Sequence, residues 1–196
     1  MSYFKSRRSA VVARNGSVAT SQPLAAQAGL QMLRDGGNAI DAAVATAAVL
    51  NVVEPMSTGI GGDMFALIWD KNERKVVSLN GSGRQAAAAN VADVRKAGYE
   101  SIPNNGAGSQ FAVSVPGTVH GWETALNQYG RMTLKEVLQP AVDYALNGYA
   151  VSEVIAHSWG GAETIAKLNH RPSGKELLPG SAANGAPKYG EVVTLL

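Results

Sequence analysis

Two polar segments that each follow an apolar run contain the residues best suited to chemistry. The first, Met56 to Asp63, is dense in glycine (MSTGIGGD), and the second, Asn80 to Arg84, reads NGSGR. Backbone N–H groups of a glycine-rich loop can line a reaction pocket, and polar residues after a strand are a common place for a site on a rigid scaffold. We therefore take these two segments as the candidate site.

The glycine-rich segment does not have the order of a phosphate-binding loop. A P-loop needs Gly-Lys-Ser/Thr before a helix, and a dinucleotide loop needs a strand before its glycines. Here a helix precedes the loop, a strand follows it, and lysine is absent. Two interpretations stay open: glycines that permit tight backbone packing, and a loop that lines a pocket. On either one we expect Gly61 and Gly62 to need backbone room.

Several kinds of catalytic site are excluded by residue types. The sequence has no cysteine, which rules out disulfides, thiolate nucleophiles and cysteine-based metal sites. His157 and His170 match no metal-binding spacing, and neither H-E-x-x-H nor G-x-S-x-G occurs. We expect no metal and no cofactor.

Composition narrows the class of partner. The 196 residues carry a net charge of +2 with no concentrated basic face, so we expect no nucleic acid. The longest apolar run, Ala39 to Val53, is shorter than a bilayer span and contains Asp41 and Asn51, so we expect no membrane. The N-terminus lacks the apolar run of a signal peptide. This predicts a cytoplasmic protein, or a periplasmic or secreted one if a leader has been removed.

Two helices are predicted ahead of the candidate site. Pro23 to Asp35 has one apolar stripe, a Thr20-Ser21 pair able to cap it and two glycines after it. Ala39 to Val53 is apolar on nearly every side, which predicts a helix buried all round. Asn38 can cap this second helix, and Asp41 lies near its positive end, where capping is the expected role.

The strands predict layers of helix and sheet. Met64 to Asp70 and Val76 to Leu79 are apolar and joined by a polar turn, which predicts an antiparallel pair buried on both faces. A further strand is predicted within Ala10 to Thr20, because Asn15-Gly16 is a hairpin signal.

The rest of the chain reads as mainly helical. Helices are predicted at Val91 to Gly98, from Thr118 through Tyr129, from Thr133 to Gly148, and from Ser152 towards Leu168.

Three motifs give the sequence a strong resemblance to a known family. They are GGNAIDAAVATAAVLNVVEPMSTGIGGDMF from Gly36, SVPGTVHGW from Ser114, and the pattern YG-x-x-x-L-x-x-x-L-x-PA from Tyr129. In order and spacing they resemble the N-terminal part of the γ-glutamyltranspeptidase large subunit, over most of Gly16 to Ser152. The resemblance implies an α+β fold, the αββα sandwich of N-terminal-nucleophile hydrolases, present here only in part. Residues 1–196 would then comprise a sandwich core at about 10–90, a helical portion at about 116–170 and an irregular stretch at 170–190.

The same resemblance implies a chemistry whose nucleophile lies outside this chain. In the family, a precursor cuts itself into two subunits, and the new N-terminal threonine of the small subunit attacks a γ-glutamyl amide with its own amine as base. No catalytic residue is therefore expected here, and Thr194, within an apolar run, is not a candidate. The implied partners are the remaining large-subunit segment, the small subunit and a small γ-glutamyl or related amide. Assembly into a homo-oligomer stays open.

One departure from the family pattern concerns substrate binding. Family members place an Arg-Glu pair after the second strand, where the arginine binds the substrate carboxylate. Here Ser82 and Gly83 stand near those positions, and Arg84 comes two residues late. Either Arg84 takes over this role, with Ser82 and Asn80 beside it, or the carboxylate contact is absent and the substrate is not a typical γ-glutamyl compound, as in cephalosporin- or glutaryl-type acylases. A plain exposed arginine, or a non-catalytic remnant of the fold, are the remaining alternatives.

Overall fold

The structure, a computed structural model, describes residues 9–103, 109–170 and 172–194. The helices are α1 Pro23–Arg34, α2 Ala39–Val53, α3 Val91–Lys96, α4 Thr118–Tyr129, α5 Leu134–Asn147, α6 Glu153–Trp159 and α7 Ala162–Asn169. The strands are β1 Met64–Asp70, β2 Lys75–Gly81, β3 Tyr149–Ala150 and β4 Val192–Val193. Single 3₁₀ segments occupy Ser109–Ala112 and Pro172–Leu177. The mixture of helix and strand confirms the α+β class.

Helix α1 agrees with its predicted bounds to within one residue but is capped differently. The side chain of Gln22, not a hydroxyl of the preceding Thr20-Ser21 pair, accepts a hydrogen bond from the backbone N–H of Leu24 at 2.5 Å. Gln22 directly precedes Pro23 and so occupies the N-cap position, whereas the hydroxyl of Ser21 donates to the carboxylate of Glu54. Gly36 follows with φ +94°, a left-handed conformation that glycine adopts without strain.

Helix α2 begins with a capping box that involves Asp41, as predicted. The carboxylate of Asp41 accepts the backbone N–H of Asn38 at 2.6 Å, and the side chain of Asn38 accepts those of Ile40 and Asp41. Asp41 also accepts the N–H groups of Arg131 at 3.0 Å and Met132 at 3.1 Å. One buried carboxylate therefore joins the start of α2 to the connection between α4 and α5.

Helix α2 is the centre of the core. It packs against both α1 and α5, and a Cβ atom on Gly29 of α1 would lie 2.3 Å from the hydroxyl oxygen of Thr46. The small side chains of α2 allow this close approach. Ala43 is nevertheless exposed, so the prediction that α2 is buried on every side is wrong in the described part of the chain.

Strands β1 and β2 form an antiparallel pair in which Met64 faces Gly81 and Trp69 faces Val76. Helix α4 packs on one face of the pair, where Ile68 is buried. On the other face Phe65, Leu67 and Trp69 are 68%, 80% and 62% exposed. The prediction that both faces are buried is therefore wrong for residues 9–194 as described, since none of their elements covers this outer face.

Two further expectations are corrected. Residues 9–22 contain no strand, because a strand needs a neighbour for its hydrogen bonds and none of the described elements pairs with this segment. The predicted helix from Ser152 towards Leu168 is two helices, α6 and α7, since it is interrupted by Gly160-Gly161. No helix in the described part of the chain is both long and apolar enough to cross a bilayer.

Candidate functional site

Three separate segments meet where β2 ends. The carbonyl oxygen of Gly62, in the glycine-rich loop, accepts the N–H of Gly117 at 3.0 Å and that of Thr118 at 3.1 Å. The N–H of Val115 donates to the carbonyl oxygen of Arg84 at 2.8 Å. The segment from Val115 to Thr118, which leads into α4, thus contacts both predicted site segments and holds them close together.

Glycines make this junction possible. A Cβ atom on Gly83 would lie 1.5 Å from the carbonyl oxygen of Val115, and one on Gly117 would lie 2.4 Å from that of Gly81. Real Cβ atoms do not approach backbone atoms so closely, so these positions accept no side chain unless the backbone moves. We call Gly81, Gly83, Gly117 and Gly121 the glycine junction, because Gly121 in turn lies against the Cα of Gly81.

Gly61 and Gly62, the glycines that were predicted to need backbone room, do not belong to the glycine junction. A Cβ atom on Gly61 would meet nothing within 4 Å among the described residues, and one on Gly62 would meet only the carbonyl oxygen of Gly59 at 3.4 Å. Neither glycine has a positive φ. The expectation for Gly61 and Gly62 is therefore wrong here. Around the candidate site, the crowded glycines lie at the end of β2 and the start of α4 instead.

Asp63 connects the glycine-rich loop to the segment after β2. The sequence did not single out its side chain as a site residue. Its Oδ1 atom accepts the backbone N–H of Gly83 at 2.9 Å and the hydroxyl of Ser114 at 3.2 Å. The available signal was an acidic residue placed between the last glycine of the loop and the first residue of β1. Asp63 thereby bridges the two segments singled out for chemistry.

The predicted binding residues Asn80, Ser82 and Arg84 all have exposed side chains on one short segment. The Oδ1 of Asn80 accepts the N–H of Ser82 at 2.9 Å, which turns the chain as β2 ends. Asn80 faces Phe65 across the pair, so both belong to the outer face of the sheet. Arg84 takes no part in the two ion pairs of the described residues, which are Lys75–Glu73 and Lys167–Glu163.

A cleft of about 440 Å³ lies beside the junction. It is bounded by the end of α2, the loop from Ser57 to Asp63 and the first turns of α4. Within it, the buried hydroxyl of Thr118 has no hydrogen-bond partner among the described residues. Asp63 lines the cleft and contacts Gly83 of the glycine junction, whereas Asn80, Ser82 and Arg84 are not among the residues that line the cleft.

The chain is similar in sequence to proteins of known family. A family profile described as Gamma-glutamyltranspeptidase matches residues 25–195. The glutathione hydrolase-like proenzyme YwrD of Bacillus subtilis (strain 168) is 42% identical over 177 residues, which make up 87% of this chain and 33% of that protein. The chain spans about a third of the length of the curated relatives it matches.

Solved structures give the same result for the fold. The γ-glutamyltranspeptidase of Helicobacter pylori superimposes with a TM-score of 0.81 and 31% identity, covering 95% of this chain and 52% of that one. A cephalosporin acylase from Bacillus halodurans superimposes with a TM-score of 0.74 and 40% identity, covering 97% of this chain and 37% of that one. This similarity confirms the predicted fold, an N-terminal-nucleophile hydrolase sandwich present in part, with helices on one face of its sheet.

Proposed function

Because the chain belongs to the γ-glutamyltranspeptidase family, we propose that it is part of an autoprocessed enzyme that cleaves a γ-glutamyl amide of the glutathione type. The observation that supports this best is the junction at the end of β2. It holds Ser82 to Arg84, where the family resemblance implies substrate binding, beside the glycine-rich loop that the sequence indicates as a possible pocket lining.

In the proposed reaction, the hydroxyl oxygen of an N-terminal threonine supplied by later sequence attacks the amide carbon. The α-amine of that threonine takes the hydroxyl proton and passes it to the leaving amine as the C–N bond breaks. The resulting acyl ester is then transferred to water or to the amine of an amino acid. This chain contributes binding and positioning, and the remaining large-subunit segment and the small subunit are its proposed partners.

Arg84 is the proposed contact to the substrate carboxylate. A guanidinium binds a carboxylate through two parallel hydrogen bonds, which orients the substrate as well as holding it. The exposed side chain of Arg84 is available for this contact, and its backbone is fixed by Val115. Asn80 and Ser82 shape the turn that presents it.

A second candidate is an acylase that acts on a glutaryl or cephalosporin amide. The observation that favours it is the departure at Ser82 and Gly83, where family members that handle γ-glutamyl groups have Arg-Glu. The 40% identity to a cephalosporin acylase points in the same direction.

A matched pair of substrates separates the two candidates in the full-length protein. γ-Glutamyl-p-nitroanilide and glutaryl-p-nitroanilide differ only by the α-ammonium group, so both offer the same carboxylate to Arg84. Turnover of the first supports the transpeptidase or hydrolase, and turnover of the second alone supports the acylase. Intact mass must also reveal cleavage immediately before a downstream threonine. A precursor that stays whole and turns over neither substrate overturns both and leaves the non-catalytic alternative.

A further inference from the structure

Asp63 occupies a place that the proposed reaction leaves without a role. It follows the glycine-rich loop, precedes β1 and borders the cleft. Among the described residues, a single oxygen, Oδ1, makes both side-chain hydrogen bonds of Asp63, one to Gly83 and one to Ser114. These partners lie 20 and 51 residues further along the chain.

The contact to Gly83 falls in the middle of the segment proposed to bind substrate. Gly83 separates Ser82 from Arg84, and its N–H is the group that Asp63 holds. The other side of Gly83 is packed against Val115, and the N–H of Val115 holds the carbonyl of Arg84. The peptide group before Gly83 and the peptide group after Arg84 are therefore both held by hydrogen bonds, which limits the directions in which the Arg84 side chain can leave the backbone.

From these contacts we infer that Asp63 is a positioning residue for substrate binding: it fixes the Ser82–Arg84 segment and acts on the substrate through Arg84. This inference rests on the proposed function. A charged acceptor strengthens a hydrogen bond to a backbone N–H, and a bidentate arginine contact tolerates little misorientation. Loss of the hydrogen bond between Asp63 and Gly83 should therefore weaken substrate binding more than it slows the chemical step.

Three substitutions separate the two hydrogen bonds that the Oδ1 atom of Asp63 accepts. Asp63→Ala removes both contacts, whereas Asp63→Asn keeps a carbonyl oxygen that can accept both. Ser114→Ala removes only the hydroxyl contact. Asp70→Ala is the matched control, because Asp70 at the far end of β1 makes the same kind of contact, accepting the N–H groups of Asn72 and Glu73.

The experiment uses the full-length processed protein and whichever p-nitroanilide it turns over. Asp63→Ala should raise KM roughly tenfold or more, the factor expected when a hydrogen bond to a charged group is lost, with kcat changed less than twofold. Asp63→Asn should restore most of the affinity, Ser114→Ala should have a smaller effect, and Asp70→Ala should leave KM unchanged.

A second measurement does not depend on the substrate. Hydrogen exchange followed by mass spectrometry on peptides covering residues 80–86 should show faster exchange in Asp63→Ala than in the wild type, and wild-type rates in Asp63→Asn. Unchanged exchange together with an unchanged KM would overturn the inference. A protein inactive on both substrates refutes the proposed function, and the exchange rates then still decide whether Asp63 holds the segment.

Discussion

Gly83 lies so close to Val115 that a Cβ atom on the glycine would be 1.5 Å from the carbonyl oxygen of Val115. Two backbones can approach to this degree only where one residue has no side chain. The contact fixes the end of β2 against the start of the segment that leads into α4. Among the four glycines of the junction, Gly83 leaves the least space for a Cβ atom. The geometry of the candidate site is therefore sensitive to a single methyl group added at this position.

Gly83→Ala is therefore expected to destabilise the full-length protein by about 3 kcal/mol, at the upper end of the usual cost of overpacking, because a backbone atom must move. Gly61→Ala is the matched control, since a Cβ atom there meets nothing within 4 Å in the described part of the chain. Thermal unfolding should give a clearly lower Tm for Gly83→Ala and a Tm close to wild type for Gly61→Ala. The reverse order would contradict the assignment of the crowded glycines.

A substitution of Asp41 tests how much this buried carboxylate contributes to the stability of the core, and does not concern the candidate site. Asp41→Ala removes a buried carboxylate and leaves the backbone N–H groups of Asn38, Arg131 and Met132 without their acceptor, and we expect a loss of about 3 kcal/mol. Thr133→Ala removes the cap of α5, which is exposed, and should cost about 1 kcal/mol. Denaturant unfolding of the two variants checks the difference, and equal losses would mean that Asp41 acts only as an ordinary cap.

Local sequence signals predicted the helices and the β1–β2 pair well. The capping boxes at Asn38 and Thr133 depend on residues three apart, so their partners are visible in the sequence itself. The bounds of α1, α2 and β1 follow from prolines, glycines and apolar runs for the same reason. The family motifs added the layered fold, of which this chain contains a part.

Contacts between distant segments could not be predicted. The residues around Asp63 in the sequence give no signal that its carboxylate accepts hydrogen bonds from Gly83 and Ser114. The residues around Gly83 likewise give no signal that it packs against Val115. Gly61 and Gly62 were predicted to need room because a high density of glycine is visible in the local sequence. Whether a glycine is crowded depends instead on tertiary packing, here that of α4 against β2. The roles of Asn80, Ser82 and Arg84 stay predictions, because they concern a substrate and not the chain alone.

The outer face of the sheet predicts a contact with the rest of the enzyme. An apolar surface of this kind, with Phe65, Leu67 and Trp69 side by side, is typical of a face that another layer covers. Leu67→Lys should cost about 2 kcal/mol or more in the full-length protein and reduce the yield of processed enzyme. Val91→Lys, on the exposed side of α3, is the control and should process normally. Normal processing of both variants would refute the contact.

The pH dependence of stability can be tested at Glu191. The backbone N–H of Lys188, and then that of Ser181, lower the pKa of the Glu191 carboxyl below its ordinary value of 4.5. A lowered folded-state pKa stabilises the fold above the unfolded pKa, and this stabilisation is lost as the pH falls through the folded one. Glu191→Gln should therefore have a lower Tm than wild type at about pH 6 to 8, and the difference should disappear well below about pH 4.5. A difference that persists in acid would assign the effect to packing instead.

Arg84 is the residue on which the substrate proposal depends. Arg84→Ala in the processed full-length enzyme should raise KM by roughly tenfold to a hundredfold, because a charge-assisted contact to the substrate carboxylate is removed. Arg84→Lys keeps the charge but not the planar fork, so it should recover only part of the affinity. Arg95→Ala, at the exposed end of α3, controls for the loss of a positive charge and should leave KM unchanged. If Arg84→Ala also leaves KM unchanged, the carboxylate is bound by another group, and Arg84 is a surface residue.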